Sequence, residues 1–150
     1  MVRAKNPIPT LDDFRNQLRR HNLRATQQRL AVHEVMMELV HASAEDVQIL
    51  LFQRGTPVNT TTVYNILSQL ADEHIYNRRL SGNNIMYFDV DPRRHLHLYD
   101  RENHTFRNVE DEQLPLLVAQ QLKRRKFKGY TIEDLDIQII AKPTRKKKKL

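Results

Sequence analysis

Cysteine is missing from all 150 residues of this chain. Its absence excludes disulfides, thiolate metal sites and thiol-based redox sensing. No apolar run approaches the ~20 residues of a membrane-spanning helix, and no secretory pattern opens the chain. A soluble, cytoplasmic protein with no membrane partner is therefore expected. Gly-rich phosphate loops, nucleophile motifs and internal repeats are also lacking, which removes the usual starting points for an enzyme. Acidic residues are outnumbered: 18 Asp and Glu face 25 Lys and Arg, for a formal net charge of +7. That balance suits a polyanionic partner. Much of it is local, because Arg145 to Lys149 supply 5 of those charges in a tail, 144–150, expected to be disordered. A second basic cluster, KRRKFK at 123–128, closes a predicted helix, where cations complement the helix dipole.

What is present is most informative between Asn59 and Tyr76, NTTTVYNILSQLADEHIY. Val63, Ile66, Leu67 and Leu70 recur with the spacing of a helix packed on a core. The opposite face carries Thr61, Thr62, Tyr64, Asn65, Ser68 and Gln69, all hydrogen-bonding and none charged. A solvated face usually mixes Lys with Glu, whereas uncharged donors suit contact with phosphates and base edges. An ordinary amphipathic core helix is the other reading of the same pattern. Residues 44–55, AEDVQILLFQRG, read as a shorter helix ending at Gly55, and IYNRRL and NIMYFDV flank SGN as a hairpin. Helix, turn, helix and hairpin make a winged helix-turn-helix.

The chain divides near Asp91-Pro92. Before it, Leu11 to Asn22 reads as a helix with Leu11, Phe14 and Leu18 inward and Arg15, Arg19 and Arg20 outward. Residues 26–41 follow as a second helix, with Thr26 as N-cap and Val32, Val35, Met36 and Leu39 as its stripe. After the division come strands at 95–100 and 104–109, and a helix from Glu112 to Phe127 with Leu114, Leu117, Val118 and Leu122 inward. A last strand follows, in which Leu135, Ile137, Ile139 and Ala141 alternate with polar residues. The predicted class is α+β: a winged-helix DNA-binding domain at 1–90, then a small α/β dimerisation and metal-sensing domain at 91–143. A piece of about 50 residues is near the lower limit for a self-sufficient core, so a homodimer is expected. A two-fold pair would also set two recognition helices ~34–36 Å apart on double-stranded DNA.

Three of the seven histidines fall into a pattern. His95 and His97 alternate in a strand, so both rings leave one face; Asp89 ends the hairpin, and His41 closes the second helix. Three imidazoles and a carboxylate suit Zn²⁺, Fe²⁺ or Mn²⁺. Two half-buried strand histidines, and one stabilised by a helix dipole, account for the same residues without a metal.

The order of LRATQQR (23–29), HASAEDV (41–47), TTTVYNILSQLADEHI (60–75), the tyrosine of MYFD (86–89) and HLH (95–97) resembles the ferric uptake regulator (Fur) superfamily over nearly the whole chain. The resemblance implies a dimeric, metal-dependent DNA-binding regulator responding to iron, manganese, zinc, haem or peroxide. It assigns one divalent metal per subunit (Zn, Fe or Mn) to His41, Asp89, His95 and His97, with haem a further possibility. The family's fifth ligand falls on Asn108, a poor neutral donor, with Glu110 or water as the substitute. Asp100 and Asn103 occupy the first CxxC pair, so no four-cysteine structural zinc is expected, as in the cysteine-poor branch resembling the iron response regulator (Irr) and peroxide regulators. His74 replaces the glycine before the wing, and His104 alone is left for a second sensory site.

DNA contacts are implied for Arg24, Thr61, Thr62, Tyr64, Asn65 and Arg78. Arg29 is placed either at the duplex backbone or in an internal bond. Arg79, Arg19, Arg20, Arg3 and Lys5 are further backbone candidates, with plain surface arginines the alternative for the wing. The expected function is a metal-responsive repressor and not an enzyme. Its rivals are a metal-independent DNA-binding protein with structural histidines and a metal-dependent hydrolase around His95, His97 and Asp89, which lacks a credible general base.

Overall fold

Helix ends organise the N-terminal half. In the computed structural model, residues 8–91 and 96–145 are described, and the chain separates into two units, 1–93 and 94–150. Arg3, Lys5, Pro92, His95 and the lysines at 146–149 lie outside the described residues. In the first unit, α1 (Leu11–Arg20) starts at Thr10, whose hydroxyl accepts from the Asp13 N–H while Asp13 accepts from the Thr10 N–H. This reciprocal box satisfies two otherwise orphaned donors. Thr26 caps α2 (Gln27–Leu39), Ser43 and Asp46 box α3 (Ala44–Gln53), and Asn59 caps α4 (Thr60–Asp72).

Three of these helices end in the same way. Asn22, Gly55 and His74 follow the C-caps with φ of 56°, 76° and 58°. Around them the amides of Leu23, Thr56 and Ile75 donate back to the carbonyls of Leu18, Leu51 and Leu70 at 2.8–3.1 Å. A left-handed residue is what this closure requires, so α1 stops at Arg20, two residues before the predicted end at Asn22. The same requirement explains why the resembled family carries glycine where this chain has His74.

The helices pack on a three-stranded antiparallel sheet ordered β1-β3-β2, from His41–Ser43, Met86–Asp89 and Asn77–Leu80. The short β1 was absent from the sequence reading, which carried α2 through His41. The helix stops instead at Leu39, and His41 is a strand residue. Phe14, Leu18, Val32, Val35, Met36, Val47, Leu51, Val63, Leu67, Leu70 and Phe88 fill the core. Burying such a leucine contributes ~1.5–3 kcal/mol relative to exposure.

The second unit holds β4 (Leu96–Asp100), β5 (Thr105–Val109), α5 (Gln113–Leu122) and β6 (Ile137–Ala141). Its sheet runs β5-β4-β6, with β5 antiparallel and β6 parallel to β4. Here α5 is shorter than the predicted 112–127, so KRRKFK begins at its C-cap, Lys123, and runs on past the end of the helix. A run of like charges followed by Gly129 at φ 85° favours leaving the helix. No residue of α5 is buried, and Leu114 and Leu117, predicted to face inward, are exposed. The alternating stretch at 134–136 is not strand: β6 begins at Ile137, which pairs with Leu96.

One core side chain escaped the periodicity altogether. His33 on α2 is fully buried, stacked 4.0 Å from Phe14. Its Nε2 lies 2.8 Å from the Pro9 carbonyl oxygen, which can only accept. The ring is therefore the neutral Nε2–H tautomer, and Nδ1 accepts from the Tyr76 hydroxyl at 2.6 Å. Burial lowers its pKa from 6.5 to about 4. The unfolded chain thus takes up this proton first. The stability due to neutral His33 is complete above pH 6.5 and is lost as pH falls toward 4, by about 3 kcal/mol. Urea unfolding between pH 7 and 4 should show that loss in the native chain and much less of it in His33→Gln; identical pH profiles would refute the assignment.

Candidate nucleic-acid interface and metal centre

The polar face of α4 divides into side chains already engaged and side chains turned outward. Gln69 accepts from the Arg29 guanidinium at 2.6 Å, and Arg29 also donates to the Arg24 carbonyl at 2.8 Å. Of the two alternatives for Arg29, the structure has the internal bond, which ties the start of α2 to α4. Ser68 is half-buried with its hydroxyl unpartnered among the described residues. Thr62 is half-buried, and its amide donates to the Asn59 cap at 2.8 Å. Thr61, Tyr64 and Asn65 are exposed, at positions i, i+3 and i+4 on one face. Tyr64 leans edge-on against Phe88. Arg24 is exposed, and Arg78 on β2 is paired with the Asp72 carboxylate at the end of α4.

In the same unit, β1 and β3 set His41 directly opposite Asp89. Facing residues of an antiparallel pair share a side of the sheet, and His41 Nε2 lies 3.2 Å from Asp89 Oδ2. The two side chains are only 12% and 2% exposed. The second carboxylate oxygen of Asp89 accepts from the Asp91 N–H at 2.9 Å. Val40, just before His41, has φ 63° and ψ −57°, a strained γ-turn conformation for a β-branched residue. Its amide and carbonyl are both held, to Met36 and Val90 at 2.8 and 3.1 Å. That turn lets the chain leave α2 and enter β1 within one residue, and it gave no sequence signal.

In the second unit, His97 on β4 is fully buried and faces Asn108 on β5 in register. The side-chain oxygen of Asn108 is buried without a hydrogen-bond partner among the described residues. Glu110 lies past the end of β5 and is exposed. His104 is engaged by the Tyr99 hydroxyl at 2.7 Å.

Within the first unit, His41 and Asp89 offer a metal ion an imidazole nitrogen and a carboxylate oxygen; within the second, His97 is a buried imidazole. Imidazole nitrogen and carboxylate oxygen, with no thiolate, suit Zn²⁺, Fe²⁺ or Mn²⁺. The spacing within the first unit fits as well. Neighbouring ligands on such an ion stand about 3.0–3.5 Å apart, close to the 3.2 Å between His41 and Asp89.

Comparison with known proteins agrees with this picture. The ferric uptake regulator family profile matches residues 20–140. The chain is similar to the ferric uptake regulation protein of Haemophilus influenzae, 31% identical over 80 residues, or 52% of this chain. It spans about half the length of that relative, 55%. Among solved structures it resembles the Vibrio cholerae ferric uptake regulator, with TM-score 0.71 and 21% identity, covering 87% of this chain and 99% of that one. The Pseudomonas aeruginosa regulator, solved with manganese, gives TM-score 0.69 at 22% identity and covers 87% and 97%. Likeness at that level establishes the α+β fold.

The Asp72–Arg78 pair generates a test of the α4 face. Both side chains are largely exposed, 62% and 39%, so the pair contributes ~0–1 kcal/mol to stability. Asp72→Asn should leave unfolding nearly unchanged while removing an anion and releasing a guanidinium. Binding to any duplex should tighten, and the slope of log affinity against log salt should steepen by up to ~0.9. Unchanged affinity and slope would place Arg78 away from the phosphates.

Proposed function

Because the chain belongs to the ferric uptake regulator family, whose members are regulators of transcription and not enzymes, we propose that it is a metal-responsive, sequence-specific DNA-binding regulator. Its most direct support is the outward face of α4: Thr61, Tyr64 and Asn65 are uncharged, exposed and held at fixed spacing by a helix packed on Val63, Leu67 and Leu70. Residues 1–90 read DNA, with Arg24 and Arg78 at the backbone, and residues 91–143 dimerise and sense metal. Repression of iron-, haem- or peroxide-response genes in the cytoplasm is the reading best suited to a cysteine-free member resembling the Irr or peroxide-regulator branch.

By family resemblance, one divalent ion per subunit is assigned to His41, Asp89, His95 and His97, and the first unit supports this by setting His41 against Asp89. Asn108 is the better fifth candidate, since it faces His97 whereas Glu110 lies outside the strand. Zinc, iron and manganese all suit these donors, and the manganese in the Pseudomonas aeruginosa structure makes that ion the first to test. When bound, the ion supplies charge and coordination to these side chains. Double-stranded operator DNA and a second copy of the chain are the partners. Exposed Leu116, Leu117 and Ile140 on α5 and β6 provide the apolar surface that a homodimer would cover.

A ligand shifts an equilibrium only by its differential affinity for the two states. Operator DNA should therefore tighten metal binding by the factor with which metal tightens operator binding, about 5–150-fold, equivalent to ~1–3 kcal/mol. Calorimetric titration of metal with and without operator measures it, and His97→Ala should abolish the effect while the dimer persists. Equal metal affinities in the two titrations would make the ion structural. Operator binding indifferent to chelator would favour the metal-independent alternative.

A further inference from the structure

Strand β3 carries two side chains of different character back to back. Successive strand residues point to opposite faces. Asp89 faces His41 across β1, while Phe88 is fully buried in the core on the other side. The Phe88 ring meets Tyr64 of α4 edge-on, with centroids 6.0 Å apart and planes at 78°. Tyr64 is 43% exposed, so its ring has Phe88 on one side and solvent on another. The register of β3 is set along both edges: Phe88 pairs with Ala42 and Arg78, and Asp89 pairs with His41 and Asn77. A one-residue slip would exchange the two faces, and two ladders oppose it.

The His41–Asp89 hydrogen bond uses the two atoms that would become ligands, so it cannot survive in the loaded state. The other oxygen of Asp89 accepts from the Asp91 N–H, which ties the carboxylate to the main chain just past β3. Exchange of the proton between His41 and Asp89 for an ion, at a spacing the pair already has, acts at the end of β3, where Phe88 is the adjoining residue.

We propose that Phe88 is the positioning residue through which occupancy at His41 and Asp89 sets the pose of Tyr64 on α4. This rests on the reading of His41 and Asp89 as metal ligands and of α4 as the DNA-reading helix. It adds to that reading a route contained within the first unit, acting on one named side chain.

The test uses the full chain labelled with 3-fluorotyrosine, whose five tyrosines give separate fluorine resonances. Tyr64 is assigned by Tyr64→Phe, and Zn²⁺ is titrated while calorimetry follows binding in parallel. The Tyr64 resonance should move in step with zinc occupancy, while that of Tyr130 in the second unit should not. In Phe88→Leu, zinc should bind within about twofold of the native affinity, and the Tyr64 displacement should fall below half. Phe88→Met, which keeps more of the core volume, serves if the leucine variant is unstable. A Tyr64 resonance unmoved at saturating zinc overturns the proposal, as does an equal displacement in the Phe88 variants. If calorimetry detects no zinc binding at all, the metal-ligand reading fails first, and the proposal with it.

Discussion

β3 is hydrogen-bonded along both edges, to β1 on one side and β2 on the other, and its register decides what the first unit can present. One ladder brings Asp89 opposite His41, and the other brings Phe88 opposite Arg78. The three-residue β1 is thus more than a connection: without it His41 would sit at a helix end, away from the carboxylate. Val40 takes a conformation that β-branched residues avoid in order to start that strand. Strain of ~1–3 kcal/mol at such a residue persists only when its surroundings over-determine it. Here both of its backbone groups are bonded, and its side chain packs against the core.

Placement of α4 follows from a different set of constraints. Its first turn is closed by Asn59, its last by the left-handed His74, and its middle is tied through Gln69 to Arg29. At His74 a left-handed L-residue costs roughly 1–2 kcal/mol relative to glycine. Beside it, His21 Nδ1 lies 3.1 Å from the carboxylate of Glu73, the C-cap. The end of α1 and the end of α4 are therefore joined at the surface as well as through Phe14, Leu18 and Leu70 in the core. The backbone of α4 is thus fixed at both ends and along one side, beneath the exposed Tyr64 and Asn65.

Most of the first unit was legible because its helices are long enough to show a period. Val63, Ile66, Leu67 and Leu70 were read correctly as the buried face of α4, and Phe14 and Leu18 as that of α1. Three residues are too few to show strand alternation, so β1 was missed, and with it the true setting of His41. His33 was invisible for a different reason: a buried neutral imidazole needs one donor and one acceptor brought from distant parts of the chain, Pro9 and Tyr76. Polar patterning likewise overstated the free polar face of α4, because it could not show that Gln69 is spent on Arg29. In the second unit, periodicity located α5 and β6, but it assigned an inward face to Leu114 and Leu117 that the single chain does not cover.

The missing cysteines bear on that second unit most directly. At 100–103, where the resembled family carries a CxxC pair, the β4–β5 turn is closed by a carboxylate. Asp100 accepts from the Asn103 side chain at 2.8 Å and from the Asn103 and Glu102 amides at 3.0 and 2.9 Å. The hydrogen bond from the Asn103 side chain, followed by those from the backbone, holds its pKa below the usual carboxylate value. Such a turn keeps the hairpin's shape without a metal. It does not reproduce the cross-link that a metal bound by four side chains makes between distant segments. A domain this small then has apolar burial as its principal remaining source of stability. The surface available for that burial is α5 and β6, with Leu116, Leu117 and Ile140 all exposed in the single chain.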